Sequence, residues 1–383
     1  MVIVAGLEPL VAALGGGETT RLIGGVVRDS LLGVAVSDID LATRLTPDDV
    51  MARLTAAKIK CVPTGLAHGT VTAVMPFGPV EITTLRRDVT TDGRHATVAF
   101  TDDWQADAAR RDFTINALSA NPQTGMIYDY FGGRDDLSAG CVRFIGEPLQ
   151  RIAEDHLRIL RFFRFHARFG KGVADVPAIE ACAARANDLM ALSRERIASE
   201  LLKLLAAADP VPAIRLMLDH AILKPVLPEI TSVDTLSALV LREDDGGNAI
   251  RRFAALVGPD PVLAREIAKR LKLSKAQTKR LVAACGWMEG YGTFEALAYR
   301  SGLESARDRL LLSGINTASL NGWIRPHFPI TGGTLIARGM TPGPQVAMTL
   351  AAIENAWIDA GFQTGADFDA LLVKFSPATP SQS

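Results

Sequence analysis

The sequence predicts an α+β chain in which a small mixed-sheet domain comes first and an all-helical region follows. Over the first third of the chain, short β-branched runs alternate with helical patterns. After Phe144 the strand patterns stop, and long segments with helical spacing of apolar residues take over. Prolines and glycines separate these segments, which indicates successive helical bundles rather than one body.

Five runs in the first third predict strands. They are LIGG, DIDLAT, KIKCVPT, GTVTAVM and PVEITTL. Between the second and third, PDDVMARLTAAK predicts a helix with Pro47 in its first turn. Residues Leu85 to Asp112 are rich in charge and show little apolar periodicity, which predicts a long polar connection that is functional or mobile.

Four later segments predict helices. They are LQRIAEDHLRILRFFRFHARFG, SRERIASELLKLLAAA, PVPAIRLMLDHAILKPVL and PVLAREIAKRLKLSKAQTKRLVAAC. The last eight residues, SPATPSQS, are expected to be disordered.

Composition excludes several classes of protein. With 383 residues, 48% hydrophobic and 22% charged, the chain is neither disordered nor fibrous, and its formal net charge of −1 gives no global indication of nucleic-acid binding. No run is long enough to span a membrane. The N-terminus is apolar but lacks a basic leader and carries Glu8, so we expect a cytoplasmic protein. The cysteines lack paired CxxC spacing and are expected to be reduced core residues: Cys61, Cys141, Cys182 and Cys285.

Two aspartates in the second predicted strand form a candidate metal site. Alternate side chains of a strand share a face, so Asp38 and Asp40 would project together with their Cα atoms roughly 7 Å apart. Carboxylates so placed can converge on two Mg²⁺ ions about 4 Å apart. Glu81 lies between core-type residues on another predicted strand, where an acid costs several kcal/mol unless a cation meets it. It is the candidate third carboxylate.

A glycine pair precedes these aspartates. Gly24 and Gly25 lie between the strand-like LI and the helix-like VVRDSLLG. Backbone amides at such a turn, with Arg28 one turn into the helix, would form a cradle for an anion. Each motif alone matches by chance often, so the order of the motifs carries the prediction.

That order resembles a known family. GGVVRDSLLG followed by DIDLAT resembles the head domain of DNA polymerase β superfamily nucleotidyltransferases, in the branch of class II CCA-adding enzymes and bacterial poly(A) polymerases. Four further motifs of that branch have counterparts: RRDFTINAL (110–118), DYFGGRDDLSAGCVRFIG (129–146), EDHLRILRFFRF (154–165) and SRERIASEL (193–201). The resemblance implies a catalytic nucleotidyltransferase head over 1–146, a nucleotide-selecting neck over 147–208, a helical body over 209–258 and a tRNA-binding tail over 259–375, while residues 376–383 are expected to be disordered.

The resemblance also implies roles for single residues. Asp38 and Asp40 would bind Mg²⁺, with Glu81 as a supporting acid. The triphosphate would be held by Gly24, Gly25, Arg28 and Arg111. We interpret Asp112 and Asn116 as structural residues.

One predicted helix could recognise a base. Asp155, Arg158, Arg161 and Arg164 follow one another at steps of three. A carboxylate only accepts hydrogen bonds and a guanidinium only donates them, so an Asp beside an Arg would pair with cytosine or adenine and mismatch uracil or guanine. The alternative is a solvent-exposed salt bridge between Asp155 and Arg158 at i,i+3. The resemblance implies base selection by Asp155 and Arg158, and triphosphate contacts by Arg161 and Arg164.

A basic run near the C-terminal third is a candidate RNA contact, although an ordinary solvated helix face is an equal alternative. Its residues are Lys269, Arg270, Lys272, Lys275, Lys279 and Arg280.

The resemblance implies template-independent addition of CCA to the 3′ end of tRNA, with CTP and ATP as substrates. Poly(A) polymerase is an alternative, but VPTGLAHGTVTAV (62–74) replaces the strongly basic strand that is typical of those enzymes. A further alternative is an enzyme that adds only CC. Such enzymes lack a flexible loop between the first two motifs, and residues 86–103 are expected to supply that loop here. Addition of the terminal A alone stays open. A non-catalytic RNA-binding protein is disfavoured because Asp38, Asp40, Arg111 and Arg158 are all present.

Overall fold

The computed structural model describes residues 4–36, 38–92, 95–172, 174–243, 246–287 and 292–375, with the backbone alone at 88–92 and 95–98. The chain divides into two compact units, Met1–Ile230 and Thr231–Ser383. The first is α+β and the second is helical, which confirms the predicted fold class. The finer division into head, neck, body and tail stays a prediction, and the predicted disordered end lies outside the described residues.

A mixed sheet organises the first unit. Its strands and those of a separate hairpin are, in chain order, β1 (Thr20–Ile23), β2 (Ile39–Thr43), β3 (Cys61–Gly65), β4 (Thr70–Met75), β5 (Gly78–Thr84), β6 (Arg86–Asp92), β7 (His95–Phe100), β8 (Ser119–Ala120) and β9 (Ile127–Tyr128). The sheet order is β3-β4-β5-β2-β1-β8-β9, and within it β2 and β5 are parallel. All five predicted strands are present, but β2 begins one residue after Asp38.

The helices of the first unit lie before, between and after the strands in the sequence. They are α1 (Glu8–Ala13), α2 (Gly25–Leu31), α3 (Pro47–Ala56), α4 (Trp104–Ala109), α5 (Gly133–Ala139), α6 (Pro148–Glu154), α7 (Arg158–Phe169), α8 (Val176–Ala184), α9 (Arg194–Leu205) and α10 (Val211–Asp219). Pro47 begins α3, as predicted. A buried aromatic cluster fixes α7 against the sheet domain: the ring of Phe113 lies 4.9 Å from that of Phe144 and 5.3 Å from that of Phe165.

The predicted long polar connection is in fact a hairpin. β6 and β7 pair antiparallel, with Arg86 opposite Phe100 and Asp92 opposite His95. A two-stranded ribbon need not bury either face, so its sequence shows β-branched residues such as Val89 and Thr90 without apolar periodicity. The prediction used periodicity and therefore missed it.

The predicted continuous helix around Asp155 is broken. α6 ends at Glu154 and α7 begins at Arg158, while Asp155 has extended backbone angles (φ −151°, ψ 106°). The Asp155 Oδ1 accepts the backbone N–H of Leu157 at 3.1 Å. An aspartate that bonds to a nearby amide competes with the helix for it, which accounts for the break.

The second unit is a series of helices: α11 (Asp234–Val240), α12 (Ala249–Val257), α13 (Pro261–Arg270), α14 (Lys275–Ala284), α15 (Phe294–Ser301), α16 (Leu303–Leu312), α17 (Gly332–Ala337), α18 (Pro344–Asp359) and α19 (Ala366–Phe375). The segment predicted as one helix from 261 to 285 forms α13 and α14, because Lys272 has φ 53° and Ser274 begins α14 with a capping box to Gln277. None of the described helices is long and apolar enough to cross a membrane.

The predicted helix PVPAIRLMLDHAILKPVL likewise ends early, at Asp219. Ala221 just beyond it has φ 56°, a left-handed conformation that a helix cannot continue through. All four cysteines are free thiols. Cys182 and Cys285 are buried, as expected of core residues, whereas Cys61 and Cys141 are only half-buried.

Candidate active site

A cavity of about 470 Å³ lies in the first unit, between the sheet and α7. Its lining residues are Ile23, Gly24, Gly25, Arg28, Asp40, Glu81, Thr83, Arg86, Arg110, Arg111, Asp112, Asn116, Asp155, Arg158, Arg161 and Phe165. Of the predicted catalytic and nucleotide-binding residues, all line this cavity except Asp38 and Arg164. The structure therefore brings together residues that are more than 130 positions apart in the sequence.

The carboxylates lie at one side of the cavity. Asp40 on β2 is in register with Glu81 on the parallel strand β5. Burial raises the pKa of Asp40, and the negative charges of Glu81 and Asp38 raise it further, while Arg111 opposes them. Asp38 is exposed and precedes the strand. Its expected place within the strand is thus wrong, although its charge still reaches Asp40.

Glu81 is also exposed, so the expected desolvation cost of a buried acid does not apply to it. The three acids offer only oxygen atoms as ligands, and their like negative charges favour binding of a cation. That donor set suits a hard divalent ion such as Mg²⁺. Within the described residues no three His, Cys, Asp or Glu side chains form a ready metal cluster.

The glycine turn shapes the cavity. Gly24 has φ 64° and ψ −121°, and its N–H donates to the carbonyl oxygen of Leu118 at 3.0 Å. A Cβ at this position would lie 3.1 Å from Nη1 of Arg111. The Gly24 N–H is thus already hydrogen-bonded and is not available to an anion. Because Gly24 has no side chain, Arg111 can approach its backbone closely. Gly25 begins α2 and lines the cavity.

Arg28 is held more tightly than the sequence indicated. It is buried, and its Nε and Nη2 each lie 2.7 Å from Oδ1 of Asp29. Its Nη1 donates to Oδ1 of Asn116 at 2.6 Å. Burial lowers the pKa of Arg28, and Asp29 offsets part of that effect. Much of its positive charge is consequently balanced inside the protein.

Arg110 and Arg111, at the end of α4, share a buried partner. Asp107 accepts from Nε of Arg110 at 2.9 Å and from Nη2 of Arg111 at 3.4 Å. The same carboxylate accepts the backbone N–H of Arg86, the first residue of β6, at 3.2 Å. Burial acts to raise the pKa of Asp107, but the two arginines bring it below its usual value. Asp107 therefore links the base of the hairpin to the cavity.

Asp155 and Arg158 both line the cavity, but each has its own partner. Nη2 of Arg196 donates to Oδ2 of Asp155 at 3.0 Å. Nη1 of Arg158 donates to Oε2 of Glu154 at 2.5 Å and to the carbonyl oxygen of Arg151 at 2.8 Å. The alternative interpretation, a salt bridge between Asp155 and Arg158 on one helix, is not what these bonds show.

The two remaining arginines of the predicted row diverge. Arg161 lines the cavity and donates from Nε to Oδ2 of Asp112 at 2.7 Å. Arg164 donates instead to Oε2 of Glu200 at 2.6 Å, outside the cavity lining. Burial lowers the pKa of Arg164, and Glu200 partly restores it. The predicted triphosphate contact is therefore better placed at Arg161 than at Arg164.

Asp112 and Asn116 have the structural partners that we expected, and both also line the cavity. Nδ2 of Asn116 donates to Oδ1 of Asp112 at 3.0 Å, beside the bond from Arg161. Several supporting residues were not predicted: Arg86, Arg110, Asp107, Arg151, Glu154 and Arg196. Glu154 stood in the quoted EDHLR motif, and only its position in that motif could have drawn attention to it.

The candidate RNA patch lies on α13, α14 and the turn between them. Lys269, Lys272, Lys275 and Lys279 are exposed there. Arg280 is not equivalent to them. It donates from Nε and Nη2 to the buried Asp308 at 2.8 and 3.1 Å, and that hydrogen bonding raises its pKa. We therefore exclude Arg280 from the exposed patch, while RNA binding by the lysines stays a prediction.

Residues 20–143 match the family model of the poly A polymerase head domain, and residues 178–233 match that of the probable RNA- and SrmB-binding site of polymerase A. Human mitochondrial CCA tRNA nucleotidyltransferase 1 is 35% identical over 325 residues, which cover 79% of this chain and 74% of the human protein. The chain belongs to the CCA-adding tRNA nucleotidyltransferase family.

Two further proteins show how far along the chain the similarity to CCA-adding enzymes and to a poly(A) polymerase extends. Poly(A) polymerase I of Haemophilus influenzae is 33% identical over 210 residues, which cover only 55% of this chain and 43% of that protein. The crystal structure of the Bacillus stearothermophilus CCA-adding enzyme in complex with CTP matches with a TM-score of 0.77 and 25% identity, over 97% of this chain and 98% of that one. The likeness to the CCA-adding enzymes thus extends well beyond the part shared with poly(A) polymerase.

Proposed function

We propose that this protein adds CCA to the 3′ end of tRNA, using CTP and ATP and releasing pyrophosphate. The observation that carries the proposal is the single cavity with acids at one side and the Asp155–Arg158 pair at another. The acids suit nucleotidyl transfer, and the pair suits the Watson–Crick edges of cytosine and adenine. The human relative is named for CCA addition, and the Bacillus stearothermophilus relative binds CTP.

In the proposed reaction the tRNA 3′-hydroxyl attacks the α-phosphate in line, and pyrophosphate leaves. Asp38, Asp40 and Glu81 would hold Mg²⁺, which supplies activation of the hydroxyl and neutralises charge on the leaving group. Asp40 is the most buried of the three acids, and it would hold the ion from within β2. The exposed Asp38 completes the site from outside the strand.

The arginines position the nucleotide. Arg110 and Arg111 line the cavity and share the one carboxylate of Asp107, so their charge is only partly balanced, while Arg161 lines the cavity paired with Asp112. Such groups bind phosphate oxygens in a fixed geometry. Asp155 and Arg158 then read the base. Uracil and guanine are rejected because they place a carbonyl against the carboxylate and an N–H against the guanidinium.

The alternatives differ in what they predict for tRNA. A poly(A) polymerase would add many adenylates without CTP, and an A-adding enzyme would act only on tRNA that already ends in CC. A non-catalytic RNA-binding protein would add nothing. The shorter match to poly(A) polymerase I and the suitability of the base reader for both C and A favour full CCA addition.

One experiment separates these outcomes. The protein is incubated with tRNA ending at the discriminator base, at C, or at CC, with CTP and ATP singly and together. We expect two cytidylates on the first substrate with CTP alone, and a completed CCA end with both nucleotides. Addition of A to the CC end only, or an unlimited adenylate tail, would overturn the proposal.

A further inference from the structure

Arg151, in the last turn of α6, reaches into the segment that carries Arg110 and Arg111. Its side chain is buried. Nη2 of Arg151 donates to the carbonyl oxygens of Arg110 at 2.6 Å and Arg111 at 2.5 Å. One guanidinium nitrogen thus fixes the backbone of the two residues whose side chains line the cavity at the predicted triphosphate end.

The same residue also contacts the base-reading end. Nη1 of Arg151 donates to Oε2 of Glu154 at 2.5 Å, and the same oxygen accepts from Nη1 of Arg158. The carbonyl oxygen of Arg151 accepts a second bond from Arg158 at 2.8 Å. Glu154 is therefore shared between two guanidinium groups, and the position of Arg158 depends on both.

From these contacts we infer that Arg151 is a positioning residue that sets the distance between the triphosphate-binding Arg111 and the base-reading Arg158. The inference rests on the proposed function. Arg151 is not among the residues that line the cavity. It acts through two backbone carbonyls on one side and through Glu154 on the other, so its effect is on nucleotide selection rather than on the chemical step.

The chemistry of the guanidinium explains why this residue is an arginine. A planar fork can serve two carbonyls with one nitrogen and a carboxylate with another, whereas the ammonium of lysine is a single point of donation. With lysine in place of Arg151, the Glu154 carboxylate would be hydrogen-bonded mainly to Arg158. That imbalance draws the Arg158 guanidinium out of the direction that a base edge requires, and displacements near 1 Å cost as much as 100-fold in rate.

The test compares Arg151→Lys with the wild-type protein. Single-turnover rates are measured for CTP, ATP, UTP and GTP on tRNA, and equilibrium affinities for CTP and UTP are measured without tRNA. We expect kcat/KM for CTP to fall about 10- to 100-fold, and the ratio of UTP to CTP use to rise. The affinity ratio should move in the same direction. Guanidinium ion added to Arg151→Ala should restore part of the discrimination, whereas urea should not.

Arg251→Lys is the matched control. Arg251 is a buried arginine in the second unit that bridges Glu243 at 2.7 Å and Asp308 at 3.3 Å. The Arg251→Lys variant should have a lower melting temperature and an unchanged ratio of UTP to CTP use. If Arg151→Lys behaves in the same way, or slows all four nucleotides equally, the inference is wrong. Failure of the wild-type protein to extend tRNA would refute the proposed function instead, and the affinity ratio would still decide the role of Arg151.

Discussion

Asp40 and Glu81 lie directly opposite each other on the parallel strands β2 and β5, and they share one side of the cavity. Burial and the charge of Glu81 together raise the pKa of Asp40. The like charge of Glu81 disfavours the ionised form of Asp40 unless a cation lies near both. The pairing therefore points to the place where metal-dependent chemistry would occur.

The first prediction concerns these acids. Asp38→Ala and Asp40→Ala should each lower CTP and ATP incorporation alike, on the order of 1,000-fold, because both remove a ligand from the same ion. The measurement is single-nucleotide addition to tRNA. A tRNA-binding assay is the control, and binding should persist in both variants. Near wild-type incorporation of either nucleotide by one variant would exclude the shared metal site.

The second prediction concerns Asp107, whose partners are Arg110, Arg111 and the Arg86 amide. The folded-state pKa of this carboxyl is lowered, so its stabilising effect is present above the unfolded pKa of about 4 and disappears as pH falls through the folded value. Asp107→Asn should reduce the free energy of unfolding by about 2–3 kcal/mol at pH 7.

The check is denaturant unfolding of both proteins from pH 7 down to acid conditions. The difference between them should shrink below about pH 4. Asp103→Asn, at the exposed N-terminus of the same helix, is a control with a smaller effect. A difference for Asp107→Asn that is constant with pH would show that the carboxylate charge is not what stabilises α4.

The third prediction concerns the hairpin. Replacing residues 89–97 by Asn-Gly keeps the pairs Arg86–Phe100, Arg87–Ala99 and Asp88–Val98 and closes them with a tight turn. Switching from a smaller to a larger base in one cavity requires a moving part, and the hairpin is joined to the cavity through Asp107. We expect CC addition to persist and the final A to be slowed about tenfold or more. An equal loss of both steps would make the hairpin merely structural.

The fourth prediction uses two neighbours in the sequence. Lys279 is exposed, whereas Arg280 is bonded to the buried Asp308. Lys279→Ala should weaken tRNA binding and reduce the dependence of log affinity on log salt by about 0.7–0.9, as one phosphate contact does. Arg280→Ala should instead lower the free energy of unfolding by about 3 kcal/mol, because Asp308 loses a buried partner. An unchanged salt dependence in Lys279→Ala would remove this lysine from the RNA surface.

The sequence predicted local features well because local interactions determine them. β1 to β5, the glycine turn and the start of α3 at Pro47 depend on short-range patterns, and all are present, although β2 begins after Asp38 and the Gly24 amide is bonded to Leu118. The helix break at Asp155 also has a local cause, but a side chain that bonds to a nearby amide leaves the apolar periodicity intact. The partners of Asp155 and Arg164 are 41 and 36 residues away, at Arg196 and Glu200. No spacing in one sequence identifies such pairs.

The last prediction tests the base reader at Asp155. Asp155→Asn keeps the shape of the side chain but replaces one acceptor by a donor. The Leu157 amide donates to Oδ1, and Nη2 of Arg196 lies 3.3 Å from Oδ1 and 3.0 Å from Oδ2, so one oxygen kept at the Oδ1 position can serve both donors. The new NH₂ group can therefore turn toward the base and donate a hydrogen bond to the carbonyl of uracil.

The effect of Asp155→Asn should be partial, because Arg158 remains a pure donor and still opposes the uracil ring N–H. We expect CTP and ATP use to weaken by about 1–3 kcal/mol in transition-state free energy, since a charge-assisted bond becomes neutral, while the ratio of UTP to CTP incorporation rises. Arg196→Lys is the control, because it keeps a cation beside an intact Asp155 and should leave that ratio near the wild-type value. Equal slowing of all four nucleotides in Asp155→Asn, with the ratio unchanged, would mean that Asp155 serves only the chain break between α6 and α7.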